Sequence, residues 1–166
     1  MLIYSLWRLL WFVVVVLAQT LILNQIHLFG YATPLLFIYF VISFCRNYPK
    51  WAILLWSFAL GLSVDVFANT PGVAAASLTL LGAIQPYLLE LFVPRDSIEQ
   101  LPASAKALGN TKFTIFVTLQ VTLFCFLYFA LEAFSFFDWV NWLMCSGCSA
   151  LLTILLILTL ETLRKS

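Results

Sequence analysis

WAILLWSFALGLSVDVFANTPGVAAASLTLLGAIQPYLLELFV, residues 51–93, decides the fold. From Trp51 to Ala68 only Asp65 is charged, and from Val73 to Val93 only Glu90 is. Each run approaches the ~20 apolar residues that a helix needs to cross a bilayer. Asn69-Thr70-Pro71-Gly72 between them is a tight turn. Pro71 is expected in the first turn of the following helix, where its missing N–H costs nothing. The stretch reads as a helical hairpin through a membrane.

Toward the amino terminus, Arg46-Asn47-Tyr48-Pro49-Lys50 forms a polar knot, and from Leu9 to Cys45 there is no Asp, Glu, Lys or Arg. That run is too long for one span. Its soft break, from Asn24-Gln25-Ile26-His27 through Gly30-Tyr31-Ala32-Thr33-Pro34, divides it into two helices, the second short for a crossing. Toward the carboxyl terminus, Pro94 to Lys112 is the only long polar segment. A fifth span follows, then a short loop from Phe134 to Asp138, then a sixth span that ends in Glu161-Thr162-Leu163-Arg164-Lys165. The expected fold is an all-α integral membrane protein with one transmembrane domain over residues 1–166. Its six helices fall near 9–24, 33–45, 51–68, 73–93, 113–131 and 139–160.

Composition agrees. Of 166 residues 64% are hydrophobic and 9% charged, against roughly 25% charged in a soluble domain. So few charges cannot cover a small soluble domain without large apolar patches. Six spans consume ~120 residues and leave too little for a separate catalytic head. The net charge of +1 argues against nucleic acid as a partner.

Orientation follows from Arg8, Arg46, Lys50, Arg95, Lys106, Lys112, Arg164 and Lys165. With six spans and the amino terminus inside, all eight fall on the cytoplasmic side, so both termini are expected there. A five-span reading splits them between faces. Trp7, Trp51, Trp139 and Trp142, with Tyr48, suit helix ends at the interface, whereas Trp11 and Trp56 are expected to pack between helices. Arg8 and the run to Val16-Leu17-Ala18 could mimic a cleavable signal, but the apolar run continues to Leu23 and suits a retained span.

Asp65 is the most informative residue, because a carboxylate within a span must face protein or water. The turn at Asn69 brings the amino end of the next helix close, and its unpaired amides and positive dipole end suit an acidic neighbour. Two roles stay open: a pin between helices, which is preferred, or a functional intramembrane group. Glu90 reads as an interfacial carboxylate beside Arg95 rather than a proton relay. Gln85-Pro86 suggests a kink whose freed backbone groups the glutamine amide can bond. Glu132 and Asp138 read as solvated. Gly61, Ser63, Gly72, Ala74, Ala75, Ala76 and Ser77 are small enough for close helix approach.

Chemistry-bearing motifs are sparse. Cys145-Ser146-Gly147-Cys148 has redox spacing but lies inside an expected span, and His27 is the only histidine. No metal set, nucleophile elbow or phosphate-binding glycine loop is present, and no cofactor is expected.

Several of these residues form a pattern. Pro34-Leu35-Leu36-Phe37-Ile38-Tyr39, Phe58-Ala59-Leu60-Gly61-Leu62-Ser63-Val64-Asp65-Val66-Phe67, Thr70-Pro71-Gly72 and Ala74-Ala75-Ala76 together resemble the MreD family of rod-shape membrane proteins. The G-L-x-x-D-x-F segment is the most specific part, and Asn24, His27 and Tyr31-Ala32-Thr33-Pro34 are similar to Bacteroidetes-type versions. The resemblance implies a non-enzymatic scaffold in the bacterial inner membrane, working with membrane lipid around it. Implied partners are MreC, then RodA and a class B penicillin-binding transpeptidase, and indirectly MreB. Gly61, Asp65, Asn69, Pro71, Gly72 and Glu90 are the candidate structural or interaction residues. The family's fold is thought similar to the substrate-binding S subunits of energy-coupling-factor transporters, which supplies the alternative: a small-molecule-binding transporter subunit. Such a subunit needs convergent polar groups, and those near the outer face are few: Asn24, Gln25, His27, Asp65, Asn69 and Asn141. Its first helix would also carry spaced alanines, whereas Trp11-Phe12-Val13-Val14-Val15-Val16 is bulky and β-branched.

Overall fold

A computed structural model describes residues 2–22, 34–93, 103–133 and 139–165. Among them the only regular secondary structure is helical. Helix α1 runs Leu2–Leu17 and continues as a π-helical turn, Ala18–Ile22. Then come α2 (Ile38–Ile42), α3 (Lys50–Ala68), α4 (Val73–Phe92), α5 (Ala105–Leu108), α6 (Asn110–Ala133) and α7 (Trp139–Lys165). Four of these, α3, α4, α6 and α7, are long and apolar enough to cross a membrane, and Leu6–Ile22 forms a shorter apolar helix.

The α3–α4 turn works through two left-handed residues. Asn69 ends α3 at φ 56°, ψ 34°, and Gly72 precedes α4 at φ 86°. Asparagine and glycine are the residue types that adopt this conformation at least cost. Pro71 lies in the turn itself rather than in the first turn of α4, which begins at Val73.

The expected second span, 33–45, is reduced to the five-residue α2, about 7 Å of helix. The reason lies in its sequence. Phe37, Ile38, Val41 and Ile42 are all fully buried, because a segment apolar on every side needs protein on every side. It sits against α1, α4 and α6, with Phe37 edge-to-face on Phe124 and Phe40 on Phe12. Residues 34–48 nevertheless retrace α1 in the opposite direction. Gln19 meets Pro34 and Leu36, Phe12 meets Phe40, and Arg8 stacks on Phe44 and Tyr48 with its guanidinium 4.8 and 4.0 Å from the two rings. From Arg8 to Gln19 that is about 16 Å along α1.

Other elements differ from expectation at their edges. Helix α6 starts at Asn110 rather than 113, and α7 runs past 160 to Lys165. Trp56 packs on Phe12, but Trp11 is 45% exposed rather than held between helices. Trp51 and Trp139 are exposed at the starts of α3 and α7, Trp7 is exposed in the second turn of α1 rather than at its end, and Trp142 packs edge-to-face on Phe126.

Candidate functional site

The α3–α4 hairpin is locked at three levels. At the turn, the buried carboxylate of Asp65 accepts hydrogen bonds from the backbone N–H of Ala74 and of Ala75, both at 2.9 Å, and from the Thr70 hydroxyl at 3.0 Å. Those two amides occupy the second and third positions of α4, which an N-cap side chain would ordinarily satisfy. The N-cap residue is Gly72, which has no side chain, so Asp65 caps α4 from the neighbouring helix. The negative charge also lies at the positive end of the α4 dipole. Three of the roughly four acceptor positions of the carboxylate are taken by groups of the hairpin itself.

One turn below, Gly61 faces the backbone of Ala75. A Cβ built on Gly61 would lie 2.6 Å from the Ala75 nitrogen and would collide with its Cα. Two turns below Asp65, Ser57 meets Gly82, whose absent Cβ would fall 2.5 Å from the serine Oγ. Ser57, Gly61 and Asp65 thus form an i, i+4, i+8 stripe of small or capping residues along which the backbones converge.

Glu90 is exposed near the carboxyl end of α4. Its expected partner Arg95 lies outside the described residues, as do His27 and Asp138. Glu132 is exposed. Cys145 and Cys148 are both free thiols, and the described residues include no group of three or more metal-ligating side chains.

A second constellation escaped sequence reasoning. On either side of α2 the backbone at Pro34–Leu36 and at Phe44 lies outside any helix, and its buried polar groups need partners in an apolar interior. Side chains from three helices supply them. Gln19 donates from Nε2 to the Pro34 carbonyl at 2.9 Å and accepts at Oε1 from the Leu36 N–H at 3.0 Å. The Thr153 hydroxyl accepts from the Leu35 N–H at 3.1 Å while donating to the Ser149 carbonyl. Gln85 donates to the Phe44 carbonyl at 3.3 Å rather than to backbone groups freed by Pro86 in its own helix. Glu161, read from sequence as part of a polar helix end, is 4% exposed and accepts from the Tyr39 hydroxyl at 2.8 Å. The one available signal was the presence of Gln19, Gln85 and Thr153 in otherwise apolar runs.

No family model, curated protein or solved structure matches this chain.

Proposed function

We propose that this protein is a non-enzymatic membrane scaffold of the MreD type. In this reading it sits in the bacterial inner membrane, binds MreC, and supports peptidoglycan synthesis by RodA and a class B transpeptidase above MreB filaments. The observation that carries the reading is what the G-L-x-x-D-x-F and T-P-G residues do. Gly61, Asp65 and Gly72 all serve one rigid hairpin, and Asp65 has its oxygens engaged by backbone and Thr70. A residue pattern devoted to packing suits a scaffold better than a catalyst. The hairpin also turns Leu55, Phe58, Leu62 and Val66 outward as an apolar face available to lipid or a partner helix.

The finer topology is part of the proposal. Residues 34–48 return along about 16 Å of α1, which supports counting them within a sixth crossing, and six crossings put all eight basic residues and both termini on the cytoplasmic side. The S-subunit alternative is weaker, since Asp65, the strongest polar candidate for its pocket, is already occupied.

Crosslinking and pull-down of a tagged copy from its native membrane is the deciding experiment. Recovery of MreC together with a wall synthase is expected, and depletion should round the cells. Rod shape retained after depletion, or a co-purified vitamin in place of MreC, would overturn the reading.

A further inference from the structure

On the outside of the bundle, α4 and α6 border an open groove of about 800 Å³. Leu80 and Ile84 form the α4 wall, and Thr114, Thr118, Thr122 and Phe126 lie along α6. Its volume falls within the ~300–1,000 Å³ usual for small-ligand sites. Its chemistry selects an apolar occupant. Thr114 donates its hydroxyl proton to the Asn110 carbonyl at 2.8 Å and Thr122 to the Thr118 carbonyl at 2.7 Å, so neither proton is offered to the groove.

Beyond one end of the groove stand two cations, Lys112 on α6 and Lys50 on α3, with the exposed Glu90 near the end of α4 as the acidic neighbour. Along α6, Lys112 lies three and seven residues before Ile115 and Leu119, which also line the groove, so the helical period places it on their face, and it is exposed. Along α4, the face of Leu80 and Ile84 continues to Tyr87, and the ammonium of Lys50 sits 4.3 Å above the Tyr87 ring. Lys50 begins α3, Tyr87 lies near the end of α4 and Lys112 near the start of α6, which packs on α4, so both cations stand toward the same end of α4. From Lys112 to Thr122 the helix rises about 15 Å, the depth of one bilayer leaflet.

From these features we infer that the α4–α6 groove is a binding site for an anionic phospholipid. One acyl chain lies along the threonine ladder, and the phosphate faces Lys112 with Lys50 as the second cation. Basic pockets between transmembrane helices recognise acidic headgroups in this way. A second copy of the chain fits less well, because a parallel twofold pairing across the groove would set Lys112 against its own copy.

Native mass spectrometry of the delipidated full chain tests this, with dioleoyl phosphatidylglycerol and dioleoyl phosphatidylcholine as probes. The phosphatidylglycerol should bind more tightly. Lys112→Gln and Lys50→Gln should each weaken it about five-fold, leaving phosphatidylcholine unaffected. Thr118→Phe, an outward-facing change that fills the groove, should weaken both lipids, and Thr122→Leu serves if that variant fails to fold. Equal affinity for the two lipids would overturn the site, as would lysine variants without effect. So would a filled groove in a folded variant that still retains phosphatidylglycerol but loses a crosslink to a partner helix.

Discussion

Asp65 does for α4 what Gly72 cannot. With glycine at the N-cap, the first amides of α4 lack a local acceptor, and the carboxylate arriving from α3 provides one that is charged and buried. Asp65→Ala strands the Ala74 and Ala75 amides in apolar surroundings. It should cost about 2–4 kcal/mol, read as a lower Tm in detergent, with Asp65→Asn recovering part because one carbonyl acceptor remains. The two glycines of the motif fail for different reasons. Gly61 lacks room, so Gly61→Ala forces the backbones apart at about 1–3 kcal/mol. Gly72 has open space but a positive φ, so Gly72→Asn should be tolerated far better than Gly72→Val. Equal melting temperatures for those two Gly72 variants would contradict the left-handed assignment. Asp65 and Gly61 were legible in the sequence because a tight turn places the residues before it beside those after it. The collision that makes Gly61 necessary was not legible, since it depends on an interhelical distance.

At the scale of elements, the segment around α2 is the unusual part. Its irregular backbone persists in an apolar interior because Gln19, Thr153 and Gln85 bond it. Gln19 serves two backbone groups at once, so Gln19→Leu should be the most disruptive change, at about 1–3 kcal/mol for each group left unpaired. Thr153→Val removes one acceptor and should cost less. Hydrogen exchange at the Leu36 amide should accelerate in Gln19→Leu, and at Leu35 in Thr153→Val. Tyr39→Phe deprives the buried Glu161 carboxylate of a donor and should lower Tm in the same assay. None of these pairings could be read from hydropathy. A glutamine or threonine in an apolar run announces a need for partners without naming them, and here the partners lie 15, 17 and 41 residues from the glutamines and 118 from Thr153.

For the whole molecule, the short α2 leaves the number of crossings dependent on where 34–48 begins and ends rather than on helix length. On the six-span proposal this return, from Gln19 to Arg8, brings the chain back to the side from which α1 set out. Green fluorescent protein fused after Ser166 should therefore fluoresce, and alkaline phosphatase fused there should be inactive. The reverse pair of results would mean five crossings and would break the alignment of all eight basic residues on one face. The scarcity of charge thus has an internal counterpart. Asp65 and Glu161 are both buried, and each is held by groups from an element other than its own.

By itself, the sequence determined membrane residence, the four long helices and the hairpin at residues 69–72. These depend on local quantities: apolar run length, turn-forming residues and the spacing of charges. Tertiary structure alone decided that 34–44 becomes a buried segment with only a short helix, that Glu161 turns inward, and that α4 and α6 leave a groove. Those outcomes depend on which distant groups can satisfy a buried N–H, carbonyl or carboxylate, and one-dimensional patterning carries no record of that pairing.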